Sequence, residues 1–374
     1  MMTIRHATAA DTDGQLEMFD HSRRMMRQSG NTTQWVGYPT AAQLEADRAR
    51  SASMLIEDAK GRPVGTFALV PGDEPTYAVI EHGRWIDTKT PYATVHRLAK
   101  MPGHRQIASA AFHYAKQQYT HLRADTHESN KALQHILEME GFVECGIVYM
   151  NDGTERLAYE WWRWDEVDPS LQAYVERRIM PLYDSFDAAH QRTHARRVIA
   201  RAMMMCRGTD ALRPDVVYAA AAMHDIGLVA GREEHHLVSG RMIRRRHALR
   251  RWFSGEEIET IAQAAEDHRA SAKATPRSWL GCIIAEADRD VEPETIVRRT
   301  VEYGISHYPT LDREGHWQRT LEHLDEKYSE KGYIQLWMPD SPNAAPLREL
   351  RELIGDHERL RHLFDTIFDK TSIR

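Results

Sequence analysis

The chain has 374 residues, which is long for a single hydrophobic core, so two domains are expected. Its composition, 42% hydrophobic and 28% charged, is that of a soluble globular protein, and a formal net charge of −6 does not support nucleic-acid binding. The three cysteines lie far apart without CxxC spacing, which argues against a disulfide framework or a zinc ribbon. No apolar run resembles a signal-peptide core or a membrane span, so we expect a reduced, cytoplasmic protein with neither membrane nor nucleic-acid partners.

Strand and helix signals alternate over the first 165 residues. Strands are predicted at residues 3–7, 53–57, 63–70, 92–99, 121–126, 142–150 and 155–162. Helices are predicted from residue 11 onward and at 106–118 and 130–140, and Asn151-Asp152-Gly153 predicts a hairpin turn. This pattern predicts a mixed α/β domain over residues 1–165, with a mostly antiparallel sheet flanked by helices.

Three segments of this half carry a resemblance to a known family. They are the strand TVHRLA at residues 94–99, the loop and helix start at 103–110, and NKALQHILEMEGF at 130–142. In this order they resemble the GNAT N-acetyltransferases. The resemblance implies an acetyl-CoA site, in which the strand offers backbone groups to pantetheine and free amides at a helix N-terminus hold the pyrophosphate. The implied cofactor-binding residues are Leu98, Arg105, Gln106, Ile107, Ala108, Ser109, Ala110 and Asn130.

Two positions depart from the GNAT pattern. The loop usually reads Gln/Arg-x-x-Gly-x-Gly/Ala, but Ala108 stands at the first Gly position and limits close approach of the backbone. Leu137 stands where the family often has a Tyr that protonates the leaving thiolate. The resemblance therefore implies the fold and cofactor binding, and it leaves open a binding module as well as an acetyltransferase. We interpret the nearby histidines as surface or packing residues: His96, His104, His113 and His127.

Strand signals nearly vanish after a predicted linker at residues 166–172. Helices are predicted at 187–206, 216–224, 239–253, 256–268, 278–288, from 293 onward, 315–331 and 346–370. We therefore predict an all-α helical bundle over residues 173–374.

Candidate metal ligands lie on several of these helices. His224 and Asp225 end an Ala-rich apolar run, and Gly227 is interpreted as the residue that ends the helix. The other candidates are His194 in His-x-x-Arg-Val, His235-His236 before Ser239-Gly240, His268 before Arg269, and Asp288 in Ala-Asp-Arg. Imidazole and carboxylate groups from separate helices can converge on an ion at the centre of a bundle.

These contexts, in this order, resemble the HD-domain metal-dependent phosphohydrolases over residues 183–305. The resemblance implies that His194, His224, Asp225 and Asp288 bind a core metal. It implies that His235, or less favourably His236, and His268 bind a second metal or contact the phosphate. Catalysis is assigned to Asp225, His235 and His268. Nitrogen and oxygen donors without thiolate suit divalent Mn, Fe, Co, Ni, Mg or Zn.

We therefore expect a hydrolase for a small phosphoester or nucleotide, joined to a GNAT-like domain that binds acetyl-CoA and acetylates an amine. Two alternatives remain open at this point. The same six His and Asp ligands fit a di-iron oxygenase, and the chain also fits a regulator that senses CoA or a nucleotide without catalysis.

Overall fold

The structure is a computed structural model that describes residues 2–28, 30–32, 34–208, 211–269 and 274–372. The chain divides into two compact units, Met1–Asp165 and Glu166–Arg374. Among the described residues, no helix is both long enough and apolar enough to cross a membrane. Cys145, Cys206 and Cys282 are free thiols.

The first unit is built on one eight-stranded mixed sheet. Its strands are β1 (Thr3–His6), β2 (Ser53–Glu57), β3 (Pro63–Pro71), β4 (Ile80–Glu81), β5 (Ala93–Lys100), β6 (His121–Thr126), β7 (Val143–Tyr149) and β8 (Glu155–Trp162). The spatial order is β1-β2-β3-β5-β6-β8-β7-β4, and among the strand pairs of the described residues only β5–β6 is parallel. Its helices are α1 (Thr12–Gln28), α2 (Ala41–Ala49), α3 (Ile107–Gln118) and α4 (Lys131–Met139). The predicted α/β class is confirmed.

Each face of this sheet has its own apolar cluster, because successive strand residues point to opposite faces. On one face Val95 and Leu122 pack against Phe112 of α3 and Leu137 of α4. On the other face lie a cluster that includes Phe19, Leu44 and Leu55, and an aromatic cluster formed by Tyr77, Trp85 and Tyr92. The sheet is therefore covered on both sides, and polar residues within it need specific partners.

The parallel strands β5 and β6 separate soon after they meet. In this part of the described chain their pairing consists of Ala93 with Leu122 and Thr94 with Arg123. Arg97 then adopts a left-handed conformation (φ 53°) at a register shift against β3, which marks a bulge. Its guanidinium is held 2.7 Å from Asp47 Oδ2. The carboxyl ends of β5 and β6 therefore border a gap.

A buried carboxylate fixes the loop beside this gap. Glu160 is fully buried and accepts hydrogen bonds from Arg123 Nε (3.0 Å) and the amide of Ile86 (2.7 Å). The Arg123 guanidinium in turn lies 3.9 Å from the ring centre of Trp85 and 4.1 Å from that of Tyr92. The ion pair with Glu160 and the cation–π contacts of Arg123 together hold Trp85 and Tyr92 in place.

The second unit is helical, as predicted. Its α-helices are α5 (Pro169–Tyr174), α6 (Arg192–Cys206), α7 (Pro214–Met223), α8 (His235–Arg245), α9 (Gly255–Asp267), α10 (Trp279–Asp288), α11 (Pro293–His307), α12 (Arg313–Tyr328), α13 (Ala344–Gly355) and α14 (His357–Ser372). A π-turn at Val175–Ile179 and 3-10 turns at Met180–Ser185, Ala188–His190, Ile226–Ala230 and His247–Arg251 connect them. Helices α7 and α10 are buried on nearly all sides and form the centre.

Several predicted helix boundaries differ from the structure, among them the start of the helix predicted at 187–206, which begins at Arg192 as α6. The predicted linker contains the start of α5, because Asp168 caps the helix through the Ser170 amide (2.7 Å) and Pro169 suits the first helical position. Helix α8 begins at His235, earlier than the predicted residue 239, and ends at Arg245. The single helix predicted at 346–370 is two helices, because Asp356 leaves helical geometry and accepts the Arg359 amide at 3.0 Å.

Candidate metal centre and cofactor loop

His224 and Asp225 reach the same side of the bundle because the α-helix has just ended. Helix α7 stops at Met223, and Asp225 has φ −110° and ψ 7°, outside regular helical geometry. Adjacent side chains on a regular helix would point about 100° apart. Here His224 Nε2 lies 3.4 Å from Asp225 Oδ2.

Four residues form the first donor group. His194 of α6 and Asp288, the last residue of α10, join His224 and Asp225. His194 Nε2 lies 3.2 Å from Asp288 Oδ1, 3.2 Å from His224 Nε2 and 3.6 Å from Asp225 Oδ2. These are the four residues for which the sequence predicts the core metal.

A second donor group uses the other oxygen of Asp225. Asp225 Oδ1 lies 3.3 Å from His235 Nε2 and 3.3 Å from His268 Nε2, and these two nitrogens are 3.3 Å apart. His235 opens α8 and His268 directly follows α9. His236 is not part of this group, since its ring packs 5.5 Å from the His235 ring and its Nδ1 is buried without a hydrogen bond.

The imidazole tautomers fit a metal. Nδ1 of His224, His235 and His268 lies 2.8, 2.8 and 2.6 Å from the carbonyl oxygens of residues 221, 232 and 265. A carbonyl only accepts, so each Nδ1 carries a proton, and in its neutral form each ring turns a bare Nε2 lone pair inward. In that form the 3.3 Å contact between Nε2 of His235 and Nε2 of His268 would oppose two lone pairs unless a proton or a metal cation lay between them. Asp225 Oδ1 is also buried without a hydrogen bond. Nitrogen and oxygen donors in this arrangement fit two divalent ions.

The charges of the site favour a cation as well. Burial by itself lowers the pKa of His194, but the carboxylates of Asp225 and Asp288 outweigh it and raise that pKa to about 9. Burial by itself raises the pKa of Asp225, but the surrounding imidazoles, His224 first, bring it well below its usual range. The carboxylates are therefore ionised and create a negative field at the donor groups.

Gly227 is required for close packing and does not end the helix as predicted. Its backbone is not left-handed, and α7 has already ended at Met223. A Cβ atom at Gly227 would overlap the carbonyl oxygen of His235 and the amide of Ser239. The Gly227 amide donates to Ser239 Oγ at 2.8 Å. The absence of a side chain therefore lets α8 bring His235 to the centre.

Three supporting residues were not assigned a role from the sequence. Tyr183 is buried beneath the centre and donates to the Ala222 carbonyl at 3.0 Å. His190 lies with its ring centre 5.6 Å from that of His194, and its Nδ1 is 2.8 Å from Asp187 Oδ1. The i, i+4 spacing of His190 and His194 was the available sequence signal for the second contact.

The third, Glu286, fixes the helix that carries Asp288. Glu286 is fully buried, and its Oε1 accepts the amides of Trp337 and Met338, the latter at 2.6 Å. The side-chain amide of Asn343 donates to the Glu286 carbonyl at 2.8 Å. Residues from the C-terminal part of the chain thus hold α10 in register.

In the first unit, the predicted cofactor residues surround the start of α3. Gln106 adopts a left-handed conformation (φ 61°) immediately before the helix, so the amides of Ile107, Ala108 and Ser109 begin a helix without carbonyl partners within it. Arg105 is exposed beside them, Ala110 continues the helix, and Leu98 lies in the β5 bulge.

Asn130, the remaining predicted cofactor residue, has a structural role. Asn130 caps α4, with its Oδ1 accepting the Leu133 amide at 3.2 Å. Leu137, at the position where the GNAT pattern often has Tyr, is fully buried in the core and supplies no proton.

Comparison with known proteins agrees with both resemblances. The family model described as "HD domain" matches residues 192–291, which include all six donor residues, so the HD domain predicted in the second half is confirmed. No curated protein matches the chain significantly.

Solved structures similar to this chain include acetyltransferases that match its N-terminal part. An acetyltransferase of the GNAT family from Streptococcus agalactiae 2603 is 27% identical, with 44% of this chain and 96% of that chain covered and a TM-score of 0.41. A GNAT acetyltransferase from Listeria monocytogenes 4b F2365 is 18% identical (43% and 95% covered, TM-score 0.35). A Salmonella typhimurium protein, described as an acetyltransferase with its cofactor acetyl-CoA, is 16% identical (45% and 98% covered, TM-score 0.30).

We expect His235→Ala, loaded with Mn²⁺, to bind one ion fewer than the wild-type protein, because only the second donor group loses a ligand. Asp225→Ala should lose both ions, since Asp225 faces both groups. His236→Ala is the matched control and should keep the wild-type content. Elemental analysis after dialysis gives the ratio of metal to protein. An unchanged ratio in His235→Ala would remove the second group from the centre.

Gly227→Ala should displace α8 and lower the metal content in the same way as His235→Ala. Forcing a methyl group into a packed site costs about 1–3 kcal/mol, so the thermal midpoint should also fall. Gly255→Ala is the control, because a Cβ there meets nothing within 4 Å. Equal metal content and equal thermal midpoints in the two variants would contradict the close-packing role of Gly227.

Proposed function

We propose that the second unit is a metal-dependent phosphohydrolase acting on a small phosphoester or nucleotide. The observation that carries this proposal is the buried Asp225 carboxylate, which turns one oxygen to each of two His-rich donor groups. Divalent ions bound there would supply hydroxide near neutral pH and withdraw charge from phosphoryl oxygens. A cytoplasmic location is part of the same proposal.

The protein fixes the orientation of the imidazole rings and leaves one side of the donor groups exposed to a substrate. The carbonyl contacts of His224, His235 and His268 fix each ring, so that the inward nitrogens need no reorganisation. His224 and His268 are buried, whereas the side chains of His194 and Asp288 are 18% and 26% exposed. A phosphorylated substrate therefore approaches past His194 and Asp288.

For the first unit we propose acetyl-CoA binding and acetyl transfer to an amine. The loop ends at a helix whose first amides have no carbonyl partners within the helix and can bind the pyrophosphate, and a gap opens between the carboxyl ends of β5 and β6. Ligands of open sheets containing parallel strands bind at the carboxyl ends of those strands, which is where this gap opens.

A di-iron oxygenase is the second candidate for the helical unit. Six nitrogen and oxygen donors around a shared carboxylate also suit two irons. The two candidates differ in what they consume, because a hydrolase needs only water and an oxygenase needs O₂.

We expect the metal-loaded protein to release phosphate or a phosphate ester from one or more members of a panel of nucleotides and sugar phosphates. Asp225→Asn should reduce that rate by roughly 10³-fold, because losing metal-based charge stabilisation costs several kcal/mol. His236→Ala should retain the rate. Absence of hydrolysis together with iron content and substrate-dependent O₂ uptake would contradict the hydrolase and favour the oxygenase.

Titration calorimetry with acetyl-CoA tests the first unit. Ser109→Glu should abolish binding, because the carboxylate would repel the pyrophosphate while remaining favourable to the helix terminus. Gln118→Glu adds the same charge at the other end of α3 and should bind as the wild-type protein does. If Ser109→Glu bound acetyl-CoA normally, the cofactor would not lie at this helix.

A further inference from the structure

His96 lies between two carboxylates in the first unit. Its Nε2 is 3.0 Å from Glu74 Oε2, and its Nδ1 is 3.7 Å from Asp125 Oδ1. The side chains of His96, Glu74 and Asp125 are 15%, 21% and 11% exposed, so they are sheltered and still reachable from solvent. The sequence indicates a surface or packing role for His96, whereas the structure gives it specific polar contacts.

These contacts span the gap between β5 and β6. The last paired residues are Thr94 and Arg123, and His96 and Asp125 each follow two residues later on the diverging strands. Residues two apart on a strand share a face, so both side chains lie on the face opposite Val95 and α3. The imidazole and the carboxylate therefore border the opening from its two sides.

Glu74 determines which nitrogen of His96 is free. The hydrogen bond from His96 lowers the pKa of Glu74 to about 2, so this carboxylate is ionised at neutral pH and only accepts. Its other oxygen already accepts from Thr76 Oγ1 at 2.9 Å. In the neutral imidazole the proton thus belongs on Nε2, and Nδ1 turns a lone pair toward Asp125.

Asp125 is likewise an acceptor. Its Oδ1 accepts a hydrogen bond from Tyr77 Oη at 2.7 Å, and its Oδ2 lies 3.9 Å from Arg156 Nε. When His96 is neutral, two acceptor atoms, His96 Nδ1 and Asp125 Oδ1, therefore face each other at 3.7 Å without a proton between them. An ammonium nitrogen can stand about 2.9 Å from both atoms and donate to each.

We propose that His96 Nδ1 and Asp125 Oδ1 bind the reacting nitrogen of a cationic primary amine, and that His96 is the general base for its acetylation. This proposal rests on the proposed acetyl-CoA site, and it adds the class of acceptor and the residue that activates it.

The proton and bond balance is complete. His96 Nδ1 takes one proton from the ammonium, the freed amine forms a C–N bond to the acetyl carbon, and the thioester C–S bond breaks. Of the other two ammonium protons, one remains on the amide nitrogen and one leaves after attack. The two released protons pass to the CoA thiolate and to solvent, so the products are the acetamide, CoA thiol and one proton.

Transfer assays with two acceptors test this role, using the full-length protein. Benzylamine is protonated at neutral pH and must lose a proton before attack, whereas aniline is already neutral. His96→Gln should lower kcat/KM for benzylamine by roughly 10²–10⁴-fold, the range for a lost general base, and for aniline by less than about tenfold. Acetyl-CoA affinity, measured by calorimetry, should not change.

Two further variants distinguish the loss of a general base from misfolding of the protein. Glu74→Gln offers an amide donor to Nε2, moves the imidazole proton to Nδ1 and should also lower kcat for benzylamine while acetyl-CoA still binds. His135→Gln, on the exposed face of α4, is the matched control and should behave as wild type.

Three results would overturn the proposal. They are equal losses with the two amines in His96→Gln, acetylation of aniline but not benzylamine by the wild-type protein, and acetyl-CoA binding without transfer to either amine. Failure of the wild-type protein to bind acetyl-CoA at all would instead remove the proposed function on which this inference depends.

Discussion

The helical unit depends on the burial of one carboxylate, that of Asp225. Removing a carboxylate from water costs several kcal/mol unless opposite charge or hydrogen-bond donors replace the solvent. Here imidazoles that arrive on separate elements surround the carboxylate, with His194 on α6, His235 on α8 and His268 after α9, and they supply opposite charge by carrying a proton or by holding a cation. Each helix must therefore pack at one particular height against the centre, and the small side chains of α7 allow that approach. The packing of the helices and the positions of the donor atoms at the centre therefore depend on each other.

Much of this centre could be predicted from the sequence. His194, His224, Asp225, His268 and Asp288 each stand in a short local context, and only their joint order distinguishes ligands from ordinary helix-terminal residues. The fold class of both halves could be predicted for a similar reason, because strand and helix periodicity are local properties. The role of each donor in catalysis remains a proposal.

What could not be predicted depends on contacts between distant segments. Gly227 has the sequence position of a helix stop, and only the nearness of His235 shows that its missing side chain is needed for packing. His96 stands in a strand that carries part of the GNAT resemblance, but that pattern assigns it no role, and its proposed role depends on contacts with Glu74 in a loop and Asp125 on another strand. Asp168-Pro169 lies within the predicted linker and also has the local features of a helix start, and α5 begins there.

Glu286 links the segment that matches the HD domain model to residues outside that segment. Residues 192–291 match the HD domain model, yet the carboxylate and carbonyl of Glu286 within that segment obtain their donors from Met338 and Asn343. Without those donors a fully buried carboxylate would remain unsatisfied next to the residue that ends α10, Asp288. The matched segment is thus not an independently transferable module. Recombination that moved this centre into another protein would have to carry the C-terminal helical region with it, so the two are expected to be inherited together.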